Sequence, residues 1–503
     1  MADRMVRTGW WLATILLVYL ALAYGNVRTV LPWCDEAWFA SPGLNLVAKG
    51  NFGTSTLDET SGWGQRNLQG IRTHTYWILP LHPLLVAGWS MVVGHSVFAI
   101  RLLSTAWGIV ALLAWFAVAR KLSGEPRAAL FAAGLLAIDF QFLWAAGEGR
   151  MDMMTEALIA SSFACFLWLR EKDFSRAVLA SQAVMACAAM THPISLGAFV
   201  GLLFLTLYFD WRRIRVKHVA IAAAPYLVLG LGWALYIRQD PAMFWGQFYG
   251  NITGRLARHE GLLASLWAQF SERFLYIYGL APDTQGFSHI KIVLFAAYVA
   301  AVAAALLMPD FRNRKEHRAL LFLIALETLV YSGLDQHPQV FYLVHIMAPV
   351  IVLAGLVMDW ILRTKRAPVW AVAAAGMAMV LVQVSVTASR VRADAYDALY
   401  LDTTNYLKQH TSPGDLIMGS SELGFELGFD SNLVDDFRLG YVSGKRPDVI
   451  VLDKNRYQEW IPLLKPVQPG AWRFATELLA RDFREVHRNA AYVTYARISR
   501  EKP

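Results

Sequence analysis

Charge is scarce in this chain. Asp, Glu, Lys and Arg make up 17% of its 503 residues and hydrophobic residues 56%, where an ordinary soluble domain carries about 25% charged residues. Those proportions exclude a soluble globular protein and leave a polytopic membrane protein. Cysteine is scarcer still: Cys34, Cys165 and Cys187 give no disulfide framework, because the last two fall inside apolar runs. Several catalytic signatures are missing too. There is no Walker loop, no Gly-x-Gly-x-x-Gly after a strand, no His-Glu-x-x-His and no Gly-x-Ser-x-Gly. Nucleotide-driven transport and serine-hydrolase chemistry therefore have no support. No repeat or low-complexity tract stands out. The net charge of +8 does not mark a nucleic-acid partner, since the basic residues come in short clusters between apolar runs.

Apolar runs of spanning length fall at about 9–29, 97–119, 126–146, 152–169, 174–192, 194–209, 218–237, 290–308, 318–334, 341–361 and 368–388. A span needs about 20 apolar residues to cross a ~30 Å hydrocarbon core, so the sequence predicts eleven helices. The first has a basic head but no Ala-x-Ala site, and reads as a retained span. With the N-terminus in the cytoplasm, five connecting segments fall inside: 120–127, 170–176, 211–217, 312–318 and 363–366. All five are basic, as the positive-inside rule requires. Nineteen Trp and nineteen Tyr suit a protein with many membrane–water interfaces.

The outer segments differ in kind. Residues 31–96 and 238–289 are long and mix aromatic residues with acids, Arg and His; Trp77 to Val93 reads as a helix lying on or dipping into the surface. The membrane domain is expected to cover 1–389. Residues 390–503 alternate β-like runs (415–419, 448–453, 491–497) with helical patterns (394–410, 471–483), which predicts a small extracytoplasmic α/β domain.

Asp35 and Glu36 follow the first span directly, in Leu31-Pro-Trp-Cys-Asp-Glu-Ala-Trp-Phe39. Carboxylates at the lip of a span can serve as a base or cation ligand; in a simple aromatic belt they would only be solvated. A second acidic cluster is Glu148-Gly-Arg-Met-Asp152-Met-Met-Thr-Glu156. If helical, its three acids share a face. Intramembrane acids are costly, so Asp152 and Glu156 face a cavity or a partner, with Arg101 or Arg150 the alternative of a structural ion pair. Outer cations, namely Arg66, Arg72, His74, His82, Arg255, Arg258, His259 and Arg273, suit a phosphate or pyrophosphate, and the aromatic residues around them suit a long hydrocarbon tail.

Asp35-Glu36-Ala resembles the Asp-Glu motif of the integral-membrane GT-C glycosyltransferases, in the branch of protein O-mannosyltransferases and lipid A aminoarabinose transferases. Pro80 to Gly94, followed by Phe98-Ala-Ile-Arg101-Leu-Leu-Ser104, is similar to that family's juxtamembrane helix and second span. Gly149-Arg150-Met-Asp152 resembles its Arg-Pro-Asp element, with Met151 in place of Pro. Tyr342-Leu-Val-His345-Ile-Met-Ala-Pro349 resembles its late Tyr-Leu element. The resemblance, over residues 8–390, implies a GT-C fold with Asp35 as the catalytic carboxylate, Asp152 as the second acid and Glu36 supporting one of them. The donor would be a sugar on a polyprenyl phosphate, its phosphate near Arg150 and His74. Phe341 stands where relatives carry an Arg, which leaves Arg255, His337 and His345 as substitutes.

The sequence reading is thus an inverting glycosyltransferase of a bacterial inner membrane, acting on the periplasmic side, with a lipid, glycan or protein as acceptor. Whether a divalent metal cation takes part stays open. The rival is a secondary transporter or lipid-handling protein without transferase activity, which would show repeated halves with broken spans. A third reading is a scaffold presenting the C-terminal domain.

Overall fold

The structure is a computed structural model that describes residues 2–62, 67–256, 261–282, 284, 286–335, 338–429 and 432–498, with side chains from residue 6 onward and without those of 254–256. The first helix, α1 (Ala2–Thr29), is followed after a short turn by α2 (Cys34–Lys49), α3 (Leu81–Val93), α4 (Val97–Ser123), α5 (Pro126–Ile138), α6 (Phe140–Gly147), α7 (Asp152–Leu169), α8 (Phe174–Ala189), α9 (Ser195–Asp210) and α10 (Val216–Ile237). Later spans are Gly286–Leu307, Lys315–Leu334, Val340–Thr364 and Val369–His410. Every one of the eleven apolar runs is helical, and the chain is a polytopic membrane protein with a small C-terminal sheet.

The spans are less uniform than eleven equal helices. Eight described helices are long and apolar enough to cross, and α5–α6 makes a ninth if the pair counts as one span, although it bends by 59°. The bend has a chemical cause. Asp139 stands between the halves and caps the second, accepting from the amides of Gln141 (2.9 Å) and Phe142 (3.1 Å). Its other oxygen takes Tyr298 Oη and Gln383 Nε2. Helices α8 and α9 have 16 residues each, or about 24 Å, and are separated by the turn at Thr191-His192-Pro193.

The bundle packs around α4, α5, α7 and the helix Leu343–Thr364. Small residues bring these helices close: Gly355 lies against Ala132, where a Cβ would strike the neighbouring backbone. Such close approach is the usual basis of helix association in lipid. Helix α10, by contrast, has its apolar side chains exposed at the bundle edge.

The last span is helical over Val369–Ala393, breaks at Asp394, whose φ is 39°, and is followed by helical turns that run to His410. Strands β1 (Ile417–Gly419), β2 (Leu433–Val434), β3 (Val449–Asp453), β4 (Phe483–Arg488) and β5 (Tyr492–Arg497) form one sheet in the order β2-β1-β3-β5-β4. The first three are parallel and β5 is antiparallel to β3 and β4. The sequence pattern anticipates β1, β3 and β5, but not β2 or β4. The edge at β2 is covered by the first outer segment: Asp435 N donates to Thr56 O (2.8 Å) and Asp58 N to Asp435 O (3.2 Å).

Candidate active site

Helix α2 begins at the rim of the bundle because Glu36, in its first turn, accepts from the Trp33 amide (3.3 Å). Acids also suit a helix N-terminus electrostatically. The two adjacent carboxylates then diverge. Glu36 is completely buried and makes a two-pronged pair with Arg101, at 2.7 Å to Nε and 2.8 Å to Nη2. It also accepts from Gly149 N (2.7 Å). A side chain at Gly149 would crowd this contact, since its Cβ would lie 2.9 Å from Ile100 and 3.4 Å from Glu36 Oε1. Arg101 in turn donates to the carbonyls of Val27 (3.1 Å) and Val30 (2.8 Å), holding the end of α1. Glu36 is therefore the centre of a knot joining α1, α2, α4 and the turn before α7.

Asp35 faces the other way, with its side chain 19% exposed. Its Oδ2 pairs with Arg150 Nη1, while the nearest donor to Oδ1 is the Cys34 thiol at 3.9 Å. The same guanidinium donates through Nε to Asp152 Oδ2 (2.7 Å). It lies 4.3 Å from the Phe341 ring centre and 5.1 and 5.2 Å from those of Trp33 and Phe39. Burial works against the Arg150 charge, yet Asp152 and Asp35 together raise its pKa above the ordinary value. Phe341, where an Arg was expected, thus supplies a ring that covers Arg150.

Asp35, Arg150 and Asp152 are brought together, and Asp152 Oδ1 is buried without a hydrogen-bond partner among the described residues. Asp152 is the first residue of α7 and Glu148 lies before it, so the three acids 148, 152 and 156 do not share one helical face as the sequence suggested. Glu156 points into the bundle, where it takes Trp115 Nε1 (2.7 Å) and His345 Nδ1 (2.8 Å). His345, read from the sequence as a substitute at the phosphate, is paired there. His82 lies beside Arg150 and Asp152, and burial lowers its pKa to about 4, which keeps it neutral. His74 sits on a loop that Gln247 ties down by bonds to the His74 carbonyl (3.0 Å) and the Tyr76 amide (2.7 Å). Its ring stacks on Tyr76. Arg66, Arg258, His259, His337 and the Arg255 side chain lie outside the described residues.

Arg273 was only one outer cation among several in the sequence. In the structure it is fully buried and pairs with Asp335, while its Nε and Nη1 have no partner among the described residues. Tyr342 lies within electrostatic reach of both Arg273 and Arg150. No signal local to residue 273 marks this, because its burial comes from distant segments. Among the described residues, no group of three or more His, Cys, Asp or Glu side chains is arranged to hold a metal ion.

The sequence matches no family profile and no curated protein. The fold does match solved structures. The crystal structure of ArnT from Cupriavidus metallidurans bound to undecaprenyl phosphate superimposes with a TM-score of 0.62 at 16% identity, covering 98% of this chain and 99% of that one. Its apo form gives 0.60. This chain therefore has the fold of these ArnT structures. The oligosaccharyltransferase of Archaeoglobus fulgidus superimposes with a TM-score of 0.57 at 12% identity, over 99% of this chain and 75% of that one.

Proposed function

We propose that this chain is an inverting glycosyltransferase that moves a sugar from a polyprenyl-phosphate carrier to an acceptor hydroxyl. Asp35 carries the reading: beside a paired Arg and a second acid, its side chain is 19% exposed and one of its oxygens has only the Cys34 thiol, at 3.9 Å. Asp35 takes the acceptor proton as the acceptor oxygen bonds to the anomeric carbon. The bond from that carbon to the phosphate oxygen breaks, and its electron pair leaves with the polyprenyl phosphate. Arg273, whose Nε and Nη1 have no partner among the described residues, and Tyr342 receive that phosphate, since preformed donors stabilise charge where it develops. Arg150 holds and aims Asp35, Asp152 completes the Arg150 pair, and Glu36 positions the helix that carries Asp35.

The hydrocarbon tail has a place to lie. An apolar cavity of about 800 Å³ runs between α8, α9 and α10, lined by Leu79, Met185, Phe199, Tyr226 and Phe248 among others. Its Leu79 end lies two residues from Trp77, whose ring is 5.7 Å from Phe39, one of the rings that cover Arg150. The ArnT complex with undecaprenyl phosphate and the archaeal oligosaccharyltransferase complex with dolichol phosphate support the same donor class. The basic loops support a cytoplasmic N-terminus, with this cluster and the C-terminal domain on the periplasmic side of a bacterial inner membrane. A transporter would favour paired broken helices in two halves; among the described residues one helix pair is bent, α5–α6.

The test is purified protein incubated with radiolabelled undecaprenyl-phosphate sugars and lipid, glycan and protein acceptors. Label should move to one acceptor class with release of undecaprenyl phosphate. Arg273→Gln should raise the donor KM about 10- to 100-fold, as expected for loss of charge-assisted hydrogen bonds of roughly 1.5–3 kcal/mol. Transfer from water-soluble nucleotide sugars only, with none from the lipid-linked donors, would contradict the reading.

A further inference from the structure

The C-terminal domain is built into the wall beside the candidate base. Trp38 is three residues beyond Asp35 on α2, and so lies on nearly the same face. Its indole N–H donates to Ser421 Oγ (2.9 Å) and Asp435 Oδ2 (3.1 Å), both in the C-terminal domain. Asp435 is fully buried and also receives Ser421 N (3.1 Å), Ser421 Oγ (2.7 Å), Tyr457 Oη (3.0 Å) and the Arg456 guanidinium. Arg456 is stacked between domains: its guanidinium carbon is 4.5 Å from the Trp38 ring centre and 4.9 Å from that of Trp460. Trp460 also packs against the apolar cluster to which Cys34, Trp38 and Met151 belong.

This seam is expensive unless complete. A buried Arg–carboxylate pair gains little over an apolar contact, but losing one partner strands a buried charge. Here the pair is further fixed by ring stacking, for which the flat guanidinium is suited. The seam also acts at a point of leverage. A carboxylate some 5–6 Å from a helix axis swings about 1 Å for each 10° of roll, and a 1 Å misplacement of a reacting group can cost about 10²-fold in rate. Helix α2 has one handle in the membrane domain, Glu36 on Arg101, and a second in the C-terminal domain, Trp38 on Asp435 and Arg456.

We propose that Asp435 and Arg456 are positioning residues: by gripping Trp38 they set the roll of α2, and so aim Asp35 at the acceptor. The inference rests on the transferase reading for its rate arm and on the seam alone for its structural arm. The test uses the full-length chain with Trp38→Phe, which keeps a ring on Arg456 but removes the N–H donor, and with Asp435→Asn. Rates are taken per folded molecule, with the folded fraction read from the melting curve. Both variants should lose at least about tenfold in kcat, with donor KM within about twofold of wild type. Amide exchange across residues 34–49 should be faster in both. A kcat within twofold of wild type in either variant overturns the proposal, as does a fall in kcat with exchange over 34–49 unchanged. If the wild-type protein transfers nothing, the transferase reading falls, and exchange over 34–49 alone decides whether the domain holds the helix.

Discussion

Asp35 and Glu36 are neighbours in the chain, both acidic, both beside an arginine, and they have opposite surroundings. Glu36 has no exposed side-chain surface and its two oxygens are engaged by Arg101, Gly149 N and Trp33 N. Asp35 shares its arginine with Asp152, is 19% exposed, and has only the Cys34 thiol on its other oxygen. The first arrangement fixes the ends of four chain segments; the second leaves a charge that is held but available. A carboxylate becomes useful for chemistry where its neighbours stop short of satisfying it.

The largest expected effect separates the pair by rate. Asp35→Asn should lower kcat by about 10²–10⁴-fold, the range for loss of a general base, with the melting temperature in detergent close to wild type. Glu36→Gln should cost about tenfold in kcat per folded molecule, through displacement of α2 and not through loss of the base. Equal rate losses in the two variants would erase the distinction between them. The next effect runs in the opposite direction: Glu36→Gln strands the buried Arg101 charge and should cost on the order of 3–5 kcal/mol of stability, read as a clear drop in melting temperature that Asp35→Asn lacks.

A third acid sharpens the comparison, because it is sealed like Glu36 but with too little positive charge nearby. Asp453, at the end of β3, shares the Arg456 neighbourhood with Asp435 and Glu422, and burial raises its pKa from 3.8 to about 6 despite the Arg456 charge. A raised folded-state pKa means that the folded domain holds a proton the unfolded chain has released. That contribution is complete below pH 3.8 and disappears as the pH rises through about 6, so it favours the folded domain at the acid end of this window. Denaturant melts between pH 4 and 7 should show wild-type stability falling across the window, by something on the order of 2 kcal/mol. Asp453→Asn should flatten that slope, and an unchanged slope would place the proton elsewhere.

Much of this was legible in the chain. Apolar length marks helix, so each of the eleven runs is helical, although eight described helices, or nine with the bent pair, are long and apolar enough to cross. Asp35, Arg150 and Asp152 stand out as polar groups at span ends. The fold expected from short motifs in order is matched by the ArnT structures over 98% of this chain. What the sequence could not display was which side of an element each group faces. Glu36 is sealed by Arg101, 65 residues away, and Arg273 becomes a buried donor through Asp335, 62 residues away. Local pattern carries neither pairing. The break at Asp139 was hidden because a single Asp inside an apolar run reads as an interruption rather than as a cap. Strand β4, Phe483-Arg-Glu-Val-His-Arg488, was hidden because mainly polar side chains cover an edge strand that is largely exposed.

The most direct test of the division between the two acids is carboxyl labelling of the native protein in detergent. A water-soluble carbodiimide and a small amine are added, and each site is followed by mass spectrometry beside transfer activity. Asp35 should be modified, and activity should fall in step with it, while Glu36 stays unmodified until the protein is unfolded. Modification of Glu36 as fast as Asp35, or full modification of Asp35 with transfer intact, would contradict the account.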